Sequence, residues 1–264
     1  MSKVRLLPPV LPNKVVAFGR NYAEHARELG NEVPEAPFAF FKPSTSVIGP
    51  GDEIRYPSFT EELHHEAELA VVIGRMCREV PRERVKDVIF GYTCANDITA
   101  RDVQRREKQW ARAKGFDGSC PLGPWVETDI DLARAGDLTV QLTVNGEQRQ
   151  LGRTSEMIHP IEDLIVNITE AMTLLPGDVI LTGTPAGVGP LNVGQGNRLG
   201  TVATRAAGKG VNVSVAVHAA GVRTVAVVPV DPHDPPNLSP VLISEPTKPE
   251  RSSYAVFCSK KNKK

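Results

Sequence analysis

Apolar residues fall into short runs of strand length, punctuated by Gly and Pro, and one run organises the others: HHEAELAVVIG at 64–74. Val71, Val72 and Ile73 read as the core of a buried strand with two acids, Glu66 and Glu68, at its mouth. Strand side chains alternate, so Glu66, Glu68 and Ala70 share one face while Ala67, Leu69 and Val71 share the other. A second apolar run (Val88, Ile89, Phe90, Tyr92) leads to a third acid, Asp97. Further strands are predicted at 14–18, at 138–144 and at 179–185. The second of these turns back at Asn145-Gly146 into 148–151 as a hairpin. Helical spacing places Ile161, Leu164, Ile165 and Ile168 on one core stripe of a helix over 160–172. Another helix follows Asn21, a suitable N-cap, and stops at Gly30. A third starts near Ala100, where Thr99 and Asp102 fit a T-x-x-D capping box. Residues 81–84 read as a helical turn, and the Pro- and Gly-rich 37–58 as irregular β-structure.

The ends differ in texture. Residues 1–13, with three prolines, read as an extended lead-in. Residues 195–210 are rich in Gly and Ala and read as an inserted loop. The alternating run 211–217 and the β-prone 222–230 suit a terminal hairpin. From Asp231 the chain is Pro-rich and ends in lysines, which predicts a disordered tail over 231–264.

Composition narrows the function classes. The 264 residues carry 31 basic and 31 acidic side chains, and no basic, aromatic-interleaved stripe suggests nucleic acid. Cys77, Cys94, Cys120 and Cys258 are widely spaced, which suits free thiols in a reducing cytoplasm. No apolar run approaches membrane length and no signal-peptide pattern is present, so a cytoplasmic protein is expected.

Candidate chemistry collects around the acids. Carboxylates two residues apart repel unless positive charge lies between them. With Asp97 they make an all-oxygen set that suits Mg²⁺ or Mn²⁺ better than zinc; the alternative is a solvated strand end paired with arginines. His25 and Glu28 share a helix face and have the equipment for general-base activation of water, unless that face is simply exposed. Arg101 and Gln104 fall on one side of a first helical turn, whose positive dipole end suits an anionic substrate; a capped surface helix reads equally well. Lys114 lies in a Gly-containing loop and gains a role only from its neighbours. The Gly-rich stretch after 182 is not a P-loop, since no GK[ST] follows. Its backbone N–H groups and the hydroxyls of Thr182 and Thr184 suit a carboxylate, the alternative being a plain turn.

Four motifs occur in one order: RNYAEH (20–25), HHEAEL (64–69), NDITARD (96–102) and LTGTPAGVGP (181–190). Together they resemble the fumarylacetoacetate hydrolase family, in its short single-domain branch, over residues 14–194. The resemblance implies a mixed, mainly β fold (α+β), with a rolled sheet or barrel enclosing a metal site, helices packed outside, and a catalytic domain over 14–230. It implies Glu66, Glu68 and Asp97 as ligands of Mg²⁺ or Mn²⁺, and His25 and Glu28 as a lid dyad that positions and deprotonates water. Lys114 falls beside the metal; Arg20, Arg101, Gln104 and Thr184 fall on contacts to a substrate carboxylate. Members are typically homodimers. The implied activity is on small 2-oxo or enol (di)acids: C–C cleavage, as acylpyruvate hydrolysis or oxaloacetate decarboxylation, through a stabilised enolate. The nearest alternative is isomerisation of 2-hydroxyhepta-2,4-diene-1,7-dioate. A remote one is a non-catalytic remnant, since the sequence departs from the family's pattern after Gly194.

Overall fold

The computed structural model describes residues 6–192 and the strand backbone of 212–216. The start of the lead-in, the 195–210 loop, the 222–230 half of the predicted hairpin, the tail and Cys258 lie outside the described residues. In chain order, β1 (Val15–Gly19) runs into α1 (Ala23–Glu28), followed by β2 (Phe38–Lys42) and β3 (Val47–Ile48). The acid-bearing run forms β4 (Leu63–His65) and β5 (Ala67–Ile73), with Glu66 between them. Next come β6 (Ile89–Asn96), β7 (Thr99–Ala100), α2 (Arg101–Arg106), α3 (Ala111–Lys114) and β8 (Cys120–Glu127). The short α4 (Leu132–Ala135) precedes the hairpin of β9 (Thr139–Val144) and β10 (Glu147–Arg153). The chain then forms α5 (Ile161–Ala171), β11 (Val179–Leu181), β12 (Gly189–Pro190) and β13 (Asn212–Ala216).

Seven strands make one curled, mixed sheet in the order β2-β1-β11-β5-β6-β8-β3. Only the pairs β1/β11 and β3/β8 in it are parallel. β5 lies at its centre and is buried on both faces, as its near-continuous apolar run requires. Ala67, Leu69, Val71 and Ile73 enter the larger core cluster, while Ala70 and Val72 enter the second, with Val15, Ala17, Val179 and Leu181. The helix α5 lays Ile161, Leu164, Ile165 and Ile168 into the larger cluster, as the 3.6-residue spacing predicts.

The turn chemistry follows the sequence. Asn145 (φ 54°) and Gly146 (φ 82°) both take the left-handed conformation that a two-residue hairpin loop demands. Gly177 (φ 86°) does the same in the turn that starts β11. β13 realises part of the alternating run and pairs in parallel with β9. Two expected caps are not formed. Tyr22, not Asn21, precedes α1, because the Asn21 side chain is used elsewhere, bridging the His159 backbone and the Thr182 carbonyl. Ala100 precedes α2: Thr99 donates instead to the Asp97 carbonyl at 2.9 Å, and Asp102 accepts from Thr60. Among the described residues no helix is long and apolar enough to cross a membrane, and Cys77 and Cys120 are free thiols.

Leu164 is fully buried in the larger cluster. Leu164→Ala is expected to cost about 2–5 kcal/mol through lost burial and the cavity left behind, read as a lower urea midpoint with an unchanged slope.

Candidate active site

The site is built by strand register. β5 and β6 pair antiparallel with Ala67 opposite Asn96 and Glu68 opposite Ala95. The residue just before β5 and the residue just after β6 are therefore neighbours, and the Asp97 N–H donates to the Glu66 carbonyl at 2.8 Å. Asn96 Oδ1 accepts the Glu66 N–H at 2.9 Å and fixes the break between β4 and β5. The carboxylates of Glu66, Glu68 and Asp97 converge, one oxygen from each lying within 4.8 Å of the others, and all three residues are buried.

Positive groups reach these acids from three directions. The Lys114 ammonium donates to Glu66 Oε2 at 2.9 Å, to Asp97 Oδ2 at 2.5 Å and to Thr99 Oγ1 at 2.7 Å. Lys42 donates to Asp97 Oδ1 at 2.6 Å and to the Lys114 carbonyl. Arg101 donates to Glu66 Oε1 and to Gln104 Oε1. Glu68 makes no ion pair among the described residues; its carboxylate accepts the Gly183 N–H at 2.6 Å.

The electrostatics follow from this division. Burial works to raise Glu66, but the charges of Lys114 and Arg101 outweigh it and hold the carboxyl far below its usual range. Burial pushes Glu68 well above the usual range, and the charges of Asp97 and Glu66 push the same way. Burial works to lower Lys114, but Asp97 and Glu66 outweigh it and keep the ammonium charged. A buried carboxylate with one hydrogen bond and no cation, beside two more acids, is a set of hard oxygen donors short of positive charge. These residues fit Mg²⁺ or Mn²⁺, and they offer neither the sulfur nor the imidazole that zinc prefers.

All ten residues singled out in the sequence line one cavity of about 460 Å³. His25 faces it from α1, 4% exposed, with Nδ1 lacking a hydrogen bond. Burial, reinforced by Arg101 and Lys114, lowers its pKa against the opposing pull of Glu66 and Glu28. Glu28 Oε2 lies 3.6 Å from Nδ1, beyond hydrogen-bond reach, because that carboxylate also accepts the Gly187 N–H at 3.1 and 3.2 Å from its two oxygens. Arg20 adopts a left-handed backbone (φ 57°) and sets its guanidinium 5.8 Å from the Trp110 ring centroid.

Three details differ from expectation. Lys114 ends a helix, α3, rather than sitting in a loop. The Thr182 and Thr184 hydroxyls donate to the Leu69 and Ala67 carbonyls at 2.9 and 2.8 Å, so they staple the Gly-rich loop to β5. Arg101 and Gln104 hydrogen-bond each other on a six-residue helix. The sequence reading missed Lys42, Trp110 and Gln150. Gln150 accepts the Ala67 N–H at 2.9 Å and donates to Thr184 Oγ1 at 2.7 Å. Lys42 carried a signal, a lysine closing the aromatic run 38–41, where a strand end sits beside the core.

Residues 14–227 match the family described as fumarylacetoacetate (FAA) hydrolase, C-terminal. The chain belongs to the fumarylacetoacetate hydrolase family. Oxaloacetate tautomerase YcgM of Escherichia coli is 46% identical over 187 residues, spanning 69% of this chain and 85% of that protein. The structure of 5-carboxymethyl-2-hydroxymuconate delta-isomerase from Mycobacterium smegmatis is 53% identical, with a TM-score of 0.66 over 72% of this chain and 74% of that one. That of fumarylpyruvate hydrolase from Pseudomonas aeruginosa, in complex with Mn²⁺ and pyruvate, is 35% identical, with a TM-score of 0.66 over 69% and 82%. As a fumarylacetoacetate hydrolase family member the chain is an enzyme, and its mainly β architecture is that of the family.

Asp97→Ala leaves two acids, a poor set for a hard divalent ion. Isothermal titration of this variant with Mn²⁺ is expected to show no binding heat; wild-type affinity would remove Asp97 from the ligand set.

Proposed function

We propose that this enzyme acts on small 2-oxo and enol diacids in a Mg²⁺- or Mn²⁺-dependent reaction. Its core step is proton transfer at the carbon beside the oxo group. One observation carries the reading: a buried histidine with an unpaired nitrogen opens onto the same cavity as the three acids and the Lys114 ammonium. The Mn²⁺ and pyruvate named for the Pseudomonas aeruginosa relative support the ligand class. When bound by Glu66, Glu68 and Asp97, the divalent ion supplies Lewis-acid polarisation of a chelating 2-oxo acid.

The chain's own residues do the rest. Arg101 and Gln104 orient a carboxylate, with Arg20 and Thr184 further along the cavity wall. Neutral His25 takes the proton from the carbon beside the oxo group, with the Glu28 carboxylate 3.6 Å from its Nδ1. Lys114, kept charged by Asp97 and Glu66, favours negative charge growing on the oxo oxygen and can return a proton there. The result is keto–enol interconversion, and the similarity to an oxaloacetate tautomerase favours oxaloacetate as substrate.

A second reading is C–C cleavage: the His25–Glu28 pair favours acylpyruvate hydrolysis, while oxaloacetate decarboxylation would give the same enolate without water. The pair's 3.6 Å spacing and free Nδ1 suit it to activate a water. Likeness to the Mycobacterium smegmatis isomerase keeps double-bond migration on a dienedioate within the same chemistry. We read the catalytic domain as 14–230, with support from the family match over 14–227, and the working form as a cytoplasmic homodimer, on the family resemblance and the free thiols.

The test follows the enol band of oxaloacetate in the ultraviolet, with Mg²⁺, Mn²⁺ or a chelator, alongside pyruvate release. Metal-dependent decay of the band without pyruvate supports tautomerisation, and pyruvate release supports cleavage. No turnover with metal bound would overturn both.

His25→Ala is expected to slow turnover by about 10²–10⁴-fold with Mn²⁺ affinity intact; parallel loss of metal would deny His25 a role in proton transfer. His25 works as a base only when neutral, and its pKa is lowered. The rate should therefore hold at neutral pH and above and fall only as the pH drops below the ordinary histidine range. A pH–rate midpoint above 7 would contradict this.

A further inference from the structure

His64 and Glu62 have no part in the chemistry above, yet strand register brings them to the back of Arg101. β4 pairs with β7 so that Leu63 faces Ala100 and His64 faces Thr99. The Arg101 backbone N–H then donates to the Glu62 carbonyl at 2.7 Å. From this anchor the Arg101 side chain, only 2% exposed, turns each of its three nitrogens to a different acceptor. Nε donates to His64 Nδ1 at 3.4 Å, and the two terminal nitrogens donate to Gln104 and Glu66. A guanidinium donates at every nitrogen and never accepts. His64 Nδ1 must therefore carry a lone pair, its ring proton lies on Nε2, and Nε2 donates to Glu62 Oε1 at 3.0 Å. Glu62 is itself gripped by both terminal nitrogens of Arg105, at 2.6 and 3.0 Å. The relay Arg105–Glu62–His64–Arg101 runs from the exposed Arg105, itself on the cavity wall, to the buried Arg101.

We propose that His64, oriented by Glu62, is a positioning residue that fixes the plane of the Arg101 guanidinium for the substrate carboxylate. It rests on the reading of Arg101 as a carboxylate contact. Glu66 and Gln104 hold the guanidinium at its terminal nitrogens, and a planar group held only there pivots about its contacts. The acceptor at Nε supplies the third point. It leaves the remaining terminal N–H bonds with one direction, which is what a directional pairing with a carboxylate needs.

Two substitutions separate positioning from bulk. Asparagine places its amide oxygen where Nδ1 stood, so His64→Asn keeps the acceptor for Arg101. Glutamine reaches to the Nε2 position, so His64→Gln keeps the link to Glu62 and loses the one to Arg101. The full chain loaded with Mn²⁺ is assayed for KM and kcat on oxaloacetate and for oxalate binding by calorimetry, with Mn²⁺ affinity and Tm measured beside them. His64→Gln is expected to raise KM and the oxalate Kd about 10-fold, with kcat and Mn²⁺ affinity close to wild type. His64→Asn is expected to stay within about 3-fold of wild type on every measure. The half-exposed Glu62 offers a variant that spares the core: Glu62→Ala should move KM in the same direction, by about 3–5-fold.

Equal losses in the two His64 variants, or losses confined to Tm or Mn²⁺ affinity, would overturn the positioning role. If wild type turns over oxaloacetate and binds oxalate while His64→Gln matches it, the positioning role alone fails. If metal-loaded wild type does neither, the reading of the pocket fails and this role with it.

Discussion

Three carboxylates buried within 4.8 Å of one another repel strongly, and the site depends on how that repulsion is answered. Two lysines and an arginine answer it, all almost fully excluded from solvent themselves. Burying six ionisable groups together is costly, and such a cluster persists only where geometry and hydrogen bonding are good throughout. Lys114 meets this condition by sharing one ammonium between Glu66, Asp97 and Thr99. Lys42 meets it from the far side, tying Asp97 to the end of α3. Glu68 is left as the acid without a cation of its own among the described residues. It is the member of the cluster with most to gain from a divalent ion.

The backbone delivers these charges with little freedom. β5 takes its register from β6 on one side and from β11 on the other, so Glu66, Glu68 and Asp97 are placed by the sheet rather than by loops. The Gly-rich segment after β11 gives up its hydroxyls to the carbonyls of β5 and its Gly183 N–H to Glu68. Gly187 continues the pattern by holding Glu28 on α1. Its φ of 94° suits glycine, and a Cβ there would lie 2.3 Å from the Arg149 carbonyl. The loop therefore couples the acid-bearing strand to the helix that carries His25.

Much of this was legible in the sequence because it depends on period and order. Alternation placed Glu66 and Glu68 on one face, helical spacing exposed the buried stripe of α5, and Asn145-Gly146 marked its hairpin. Four motifs in one order carried the family and, through it, the ten candidate residues that line the cavity among others. What escaped depends on contacts between distant segments. Asn21 and Thr99 each had a local use as a cap, and each was drawn instead into longer-range bonds. A capping hydroxyl or amide and a tertiary one look the same in sequence. Lys42 and Gln150 lie far along the chain from the acids they serve, and no local pattern announces a buried lysine or glutamine.

The cavity also explains how relatives named for a tautomerase, an isomerase and a hydrolase share one fold. On the function proposed above, the acids, Lys114 and Arg101 would serve an enol or enolate stage that the three reactions could share. The outcomes diverge only in where the next proton goes and whether water takes part. On the same proposal that choice would fall to His25, Glu28 and the wall around Trp110 and Arg20, which line the cavity with the acids. Under that reading fold and acids would define the substrate class, while the rest of the cavity wall would select the reaction. The Gly187 N–H holds Glu28, and through it the Gly-rich loop is tied to α1, the helix that carries His25 and that on this proposal would set its approach to substrate.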